Sequence, residues 1–151
     1  MFLTPGATTS LDSCTVTGNS ASDSGGGLRC DSTLTLTNTI VANNTAPTGP
    51  DIFGTVTANY SLIESTSGAG ISGANNITGQ DPKLDTLKDN DGPTFTMLPA
   101  GDSPAIDAGN TTLTTDQRGV LRPQGNGVDI GAVERGAPRD GPNFVVTTTD
   151  D

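Results

Sequence analysis

Leu11-Asp-Ser-Cys-Thr-Val-Thr-Gly-Asn-Ser-Ala21 returns as Leu36-Thr-Asn-Thr-Ile-Val-Ala-Asn-Asn-Thr-Ala46, 25 residues later. Leucine falls on leucine, Val16 on Val41, Asn19 on Asn44 and alanine on alanine. A looser third copy, Val56-Thr-Ala-Asn-Tyr-Ser-Leu-Ile63, places Ile63 22 residues after Val41. Self-similarity at about 20 to 50 residues marks stacked units that share one continuous core. Short strand-like runs broken by Asn and Gly, with no helical pattern between them, predict a parallel β-solenoid. Such a fold suits a scaffold or fibre better than a pocket enzyme.

The chain has 151 residues, enough for one domain. Only 31% of residues are hydrophobic and 3% aromatic, with 20 Gly, 10 Pro and no Trp, which taken alone points toward disorder. The apolar residues recur in step with the repeat, however, and Thr, Val, Ile and Leu crowd into short alternating runs. A solenoid coil is narrow and rests on its neighbours, so it needs few inward residues. Each fully buried aliphatic side chain contributes about 1.5–3 kcal/mol, and two or three per strand hold a coil. A folded chain is expected.

A net charge of −10, pI near 4.1 and no histidine disfavour nucleic acid as a partner, because an acidic surface repels phosphate backbones. No apolar run approaches the roughly 20 residues that span a bilayer. The opening Met1-Phe-Leu-Thr-Pro-Gly lacks a basic region and an apolar core, so no signal peptide is expected there. A trimmed mature chain or one segment of something longer is expected instead. Cys14 and Cys30 are the only cysteines. Two readings stay open: a disulfide outside the cytosol, or two small buried hydrophobes on different walls of one coil.

Along the chain, Phe2-Leu3 followed by Thr4-Pro5-Gly6 reads as a strand tail and a turn. Gly25-Gly26-Gly27 permits a tight bend before Leu28-Arg-Cys30, a short second wall. Thr33-Leu-Thr-Leu-Thr-Asn38 is the clearest strand, with Leu34 and Leu36 inward, threonines outward and Asn38 at the corner. Asn there can bond backbone groups left over by the turn and stack on Asn of the next coil. Leu84, Leu87, Phe95, Met97 and Leu98 form an irregular apolar set, expected to pack over the end of the stack. Residues 105–109 and 128–133 are expected to be two more short strands. No amphipathic helix is expected.

The motifs Asn38-Thr-Ile-Val-Ala-Asn-Asn44, Asp81-Pro-Lys-Leu84, Asp91-Gly-Pro-Thr94, Ser103-Pro-Ala-Ile-Asp-Ala-Gly109, Asp116-Gln-Arg-Gly119 with Arg122-Pro123, and Asp129-Ile-Gly-Ala-Val-Glu134 occur in that order. Together they resemble the choice-of-anchor Q domain proteins, which are similar to the polymorphic outer-membrane protein repeats. The resemblance covers about two thirds of the chain. It implies an all-β, right-handed parallel β-helix on a bacterial or archaeal surface, with no catalytic residues to carry over. Asn143-Phe-Val-Val-Thr-Thr-Thr-Asp-Asp151 looks like the strand that opens many β-helices of this group, without the Cys-Ser-Leu-Arg-Glu-Ala motif that follows it there. The expected organisation is therefore a β-helix with an irregular cap over residues 1–135, a linker over 136–142 and a protruding strand over 143–151.

A β-helix with bare ends exposes unpaired N–H and C=O groups that template further pairing. Phe144, Val145 and Val146 form an apolar run with no obvious partner in their own chain. Asn143 to Thr147 are expected to dock on the open first coil, at Phe2 and Leu3, of another subunit or to lead into a following domain. Either contact fails to close on itself and yields a filament or beaded fibre.

Enzymes are the main rival, since many parallel β-helices cleave acidic polysaccharides. Glycoside hydrolysis needs two carboxylates about 5 to 9.5 Å apart. No close acidic pair falls on a regular strand, and Tyr60 is the only tyrosine. Asp89-Asn-Asp-Gly92 resembles part of a calcium loop but lacks the later bidentate Glu, and an Asp-Gly turn explains it without metal. Asp107, Asp116, Arg118, Arg122, Asp129 and Glu134 are expected to form salt bridges holding the cap. Asn43, Asn59, Asn76 and Asn110 begin Asn-x-Ser/Thr sequons and are candidate glycan acceptors. No catalytic, cofactor-binding or metal-binding residue is expected. The reading is an extracellular, non-catalytic subunit whose partner is itself, with surface glycans as a second candidate partner. A monomeric carbohydrate-binding adhesin and a polysaccharide lyase or hydrolase are the alternatives.

Overall fold

The computed structural model describes residues 2–3 and 8–136 of the chain. They are all-β, without helix, and the strands pair in parallel within two curled sheets, an arrangement compatible with a solenoid. The first sheet contains β1 (Phe2–Leu3), β2 (Thr8–Asp12), β4 (Leu28–Cys30), β5 (Thr33–Thr37), β7 (Ile52–Asn59) and β9 (Ala69–Ser72). The second contains β3 (Thr15–Thr17), β6 (Ile40–Ala42), β8 (Leu62–Ile63) and β10 (Ile77–Thr78). On a third side, Ser20 bridges Thr45 and Ser24 bridges Thr48, also in parallel.

The register shows the repeat directly. Leu11 pairs with Leu36 and Leu36 with Ala58, while Val16 pairs with Val41 and Val41 with Ile63. β7 spans in one strand what β4 and β5 cover in two. Four successive rungs result: β1 and β2, then β4 and β5, then β7, then β9, each followed by its strand of the second sheet. The alternation in β5 is as expected, with Leu34 and Leu36 buried and Thr33 exposed. Leu28, Leu34, Leu36, Val41, Ile52, Val56 and Ile63 fill the space between the sheets.

The corner between the sheets is left-handed in every rung: Ser13, Asn38, Tyr60 and Asn75 have φ of 51°, 50°, 50° and 59°. Asn tolerates this region better than most residues. The expected Asn stack does not form at position 38, because Tyr60 follows it in the next rung. The ladder runs one residue later instead. The Cys14 N–H donates to Thr39 Oγ1 at 3.3 Å, the Thr39 N–H to Ser61 Oγ at 3.1 Å, and the Ser61 N–H to Asn76 Oδ1 at 3.0 Å. An amide pair does form at the next corner, where Asn19 Nδ2 donates to Asn44 Oδ1 at 3.0 Å.

Two expectations about the cap are corrected. Residues 80–136 lie along the outer face of the second sheet, not across the end of the stack. Ile40, Ala42 and Leu62 form a second buried cluster there with Ala105 and Ile130. The physical reason is that β6 is apolar on both faces, with all three residues buried, whereas the outer face of β5 is threonine. The flank must cover the apolar face, since leaving it in water forfeits the burial energy. Residues 105–109 and 128–133 are not strands. They meet through the Gly109–Val128 antiparallel bridge and the Ile130 N–H to Ala105 O bond at 2.9 Å.

Close approach of the flank depends on glycine. A Cβ at Gly109 would lie 2.1 Å from Asn38 Oδ1 and 2.9 Å from the Asp129 backbone. Gly109→Ala is therefore expected to destabilise the fold by about 1–3 kcal/mol, the usual cost of overpacking. Gly136→Ala, where a Cβ meets nothing within 4 Å, is expected to be neutral; urea unfolding of both variants makes the comparison.

Candidate functional site

The flank motifs converge on a buried group of charges held by turns around residues 107, 116–122 and 129–135. The Arg122 and Glu134 side chains are 1% and 0% exposed and pair at 2.9 Å. Arg122 also donates to the carbonyls of Asp129 at 3.0 Å and Gly131 at 2.7 Å. Glu134 accepts the N–H groups of Gln124 and Asp129, both at 3.2 Å. Asp129 accepts the N–H of Asp107 at 2.8 Å and of Arg135 at 2.6 Å. Asp116 takes the Arg118 guanidinium at 2.9 Å and three backbone N–H groups, from Arg118, Val120 and Glu134. Asp107 closes its own loop by accepting the Gly127 N–H at 2.8 Å.

Two of the expected salt bridges are present, Arg118 with Asp116 and Arg122 with Glu134, whereas Asp107 and Asp129 bond backbone N–H groups instead. These carboxylates spend their lone pairs on neighbouring N–H groups, which fixes irregular loops that no sheet ladder could hold. Burial pushes the Asp129 carboxyl above its ordinary pKa, against the bonds from Asp107 and Arg135. Burial raises Glu134 too, reinforced by the nearby Asp129 charge, and Arg122 offsets only part of this. Asp116 also feels burial, but hydrogen bonds from the Glu134 N–H, the Arg118 side chain and the Val120 and Arg118 N–H groups outweigh it and hold it low.

The other predicted site residues are dispersed. Phe2 and Leu3 form β1, paired with β4. Asn143, Phe144, Val145, Val146 and Thr147, and the linker from residue 137 onward, lie outside the described residues. Among the sequons, Asn43 and Asn110 are exposed. Asn59 is half-buried and accepts the Ala74 N–H at 3.1 Å. Asn76 is half-buried and committed to the fold, since its Nδ2 donates to the Ala58 carbonyl at 2.7 Å. Cys14 and Cys30 are free thiols here. Cys14 is half-buried at a corner, with its thiol raised by burial. Cys30 belongs to the main core and is raised to about 11, by burial first and then by Asp31. Asp89 accepts the Asp91 N–H at 3.1 Å, the geometry of an Asx turn.

The two ends of the sheets are open, and the structure shows which strands form them. β2 and β3 are edge strands at one end of the sheets, and β9 and β10 lie at the other. The core residues of the middle rungs are fully buried, whereas Leu11 and Val16 at one end and Ala69 and Ile71 at the other are only half-buried. These four are the first and last members of the repeating columns. Among the described residues no helix is long and apolar enough to cross a membrane. Comparison with protein-family models, curated proteins and solved structures finds no match for this chain.

The flank charges set opposite pH dependences. Asp129 and Glu134 have folded pKa values above their unfolded ones, near 3.9 and 4.3. Their contribution is therefore complete below those values and lost as pH rises through the folded ones. Asp116 contributes above about 3.9 and loses its contribution as pH falls through its lowered folded value. The unfolding midpoint is expected to be higher in mildly acidic than in neutral buffer. Glu134→Gln, which fixes the side chain in its neutral form, should flatten that difference. Thermal melts across pH for both chains check the sign.

Proposed function

We propose that this chain is a right-handed parallel β-helix serving as a non-catalytic structural subunit outside a bacterial or archaeal cell, joined head to tail into a filament or surface fibre. One observation carries the reading: the core is closed in its middle rungs and half-open at both ends, where edge strands end the sheets. An open rung loses stabilisation in water and regains it under another rung. The gain is apolar burial at about 25 cal/mol per Å² plus main-chain hydrogen bonds along the edge.

Supporting features lie on the other surfaces. The outer face of the first sheet carries hydroxyls, with Ser10 paired to Thr35, Thr35 to Thr57 and Thr57 to Ser72. Such a face remains wetted while the ends associate. The two ends differ in sequence, so their contact is heterologous and propagates rather than closing. The run of flank motifs supports the surface location by its resemblance to choice-of-anchor Q domains, and the apolar 143–147 segment supports a connector.

Electron microscopy of the purified chain is expected to show unbranched filaments about one subunit wide. The chain lacking residues 143–151 is expected to remain folded by circular dichroism and to stay monomeric. A monodisperse full-length chain at high concentration would overturn the assembly reading.

A further inference from the structure

The flank does more than cover the second sheet: it runs past it. A cavity of about 260 Å³ is lined by Thr15 and Thr17 of β3 and by Leu87, Phe95 and Met97 of the flank. No residue of β6, β8 or β10 lines it, so it lies at the rim, beside the last strand of its sheet. A second cavity of about 390 Å³ adjoins it, sharing Thr15, Gln117 and Ala132. Among the described residues the exposed large hydrophobics are Leu87, Phe95, Leu113 and Leu121. The first two line the rim cavity and Leu113 lines its neighbour. Exposed apolar surface is thus gathered at the end where β3 has an edge unpaired among the described residues and Val16 is half-buried.

We propose that this rim is an acceptor slot for one further parallel strand, and that its occupant is the Asn143–Thr149 segment of a second copy of the chain. The inference rests on the end-to-end reading above and names where the connector docks. In strand addition the edge backbone supplies affinity, and pockets for alternate side chains supply specificity. In an extended segment Phe144 and Val146 face one way, Val145 and Thr147 the other. Laid on β3 with Val145 over Val16, the segment extends the column Val16–Val41–Ile63 by one more β-branched residue. Phe144 and Val146 then stand over Thr15 and Thr17, in the apolar slot beneath Leu87 and Phe95. A slip that set Phe144 over Val16 would force the large ring into the narrow core and send Val145 outward, which disfavours that register.

The test is covalent trapping in the full chain. Two Cys14→Ser proteins, one carrying Thr17→Cys and the other Val146→Cys, are mixed under mild oxidation. Neighbouring strands bring Cα atoms within disulfide range, so a crosslinked heterodimer is expected. Thr57→Cys, on the outer face of β7, is expected to give none with the same partner. Leu87→Glu, at a position 62% exposed, puts a charge in the slot without disturbing the core and is expected to cut the yield at least tenfold. Absence of the Thr17–Val146 crosslink, an equal yield from Thr57→Cys, or indifference to Leu87→Glu each overturns the slot. If filaments persist in microscopy while the crosslink is absent, the end-to-end reading stands and only the slot falls; if filaments are absent as well, both fall.

Discussion

Asn38 joins three parts of the chain, and every hydrogen-bonding group it owns is used. Its N–H reaches the next rung at Asn59 O, and its carbonyl accepts the Gly131 N–H from the flank. Its side-chain amide donates to Ser13 in the preceding rung and to the Asp129 carbonyl, while its Oδ1 accepts the Asn110 N–H. The residue is fully buried and left-handed. Asp could not donate and Gln is too long for the corner, so the position admits little else. The coil, its neighbours and the flank are registered against one another through this carboxamide. A buried polar group with all partners present specifies a single arrangement, because each alternative strands a donor or acceptor away from water.

The second sheet explains why the flank goes where it does. Ile40-Val41-Ala42 and Leu62-Ile63 are continuous apolar runs, unlike the alternating Thr33-Leu-Thr-Leu-Thr37. Continuous runs belong to strands buried on both faces, alternating runs to strands wetted on one. The first sheet keeps its outer face in water, and the second hands its outer face to residues 80–136. The buried carboxylates then pin those residues, which lack any ladder of their own.

Much of this was legible from residues alone. The offset between Leu11 and Leu36 is the observed register, and the alternation in residues 33–37 is the observed burial. The flank was harder. Its motifs marked it as special, and Asp116 with Arg118 and Arg122 with Glu134 do form ion pairs, while Asp129 accepts backbone N–H groups instead. The exposed end of the stack is one apolar surface and the outer face of the second sheet is another; only the difference between continuous and alternating runs tells in sequence which one the flank covers. Residues 105–109 and 128–133 resembled strands by composition, but scattered backbone carbonyls, hydroxyls and the Asp129 and Glu134 carboxylates, rather than a ladder, take up their N–H groups. Only long-range geometry distinguishes the two, and single-sequence pattern does not carry it.

The rungs are not equal. The chain advances 25 residues from Thr9 to Leu34, 22 from Thr35 to Thr57 and 15 from Thr57 to Ser72. Only residues 64–68 join β8 to β9, against 43–51 between β6 and β7. The body is therefore a taper, wide at β2 and narrow at β9, and mechanically it is a wedge. In the second sheet the β8–β10 and β6–β8 contacts have two residue pairs each and the β3–β6 contact three. The broad base is also stitched sideways to the flank through Thr15 and Asn38.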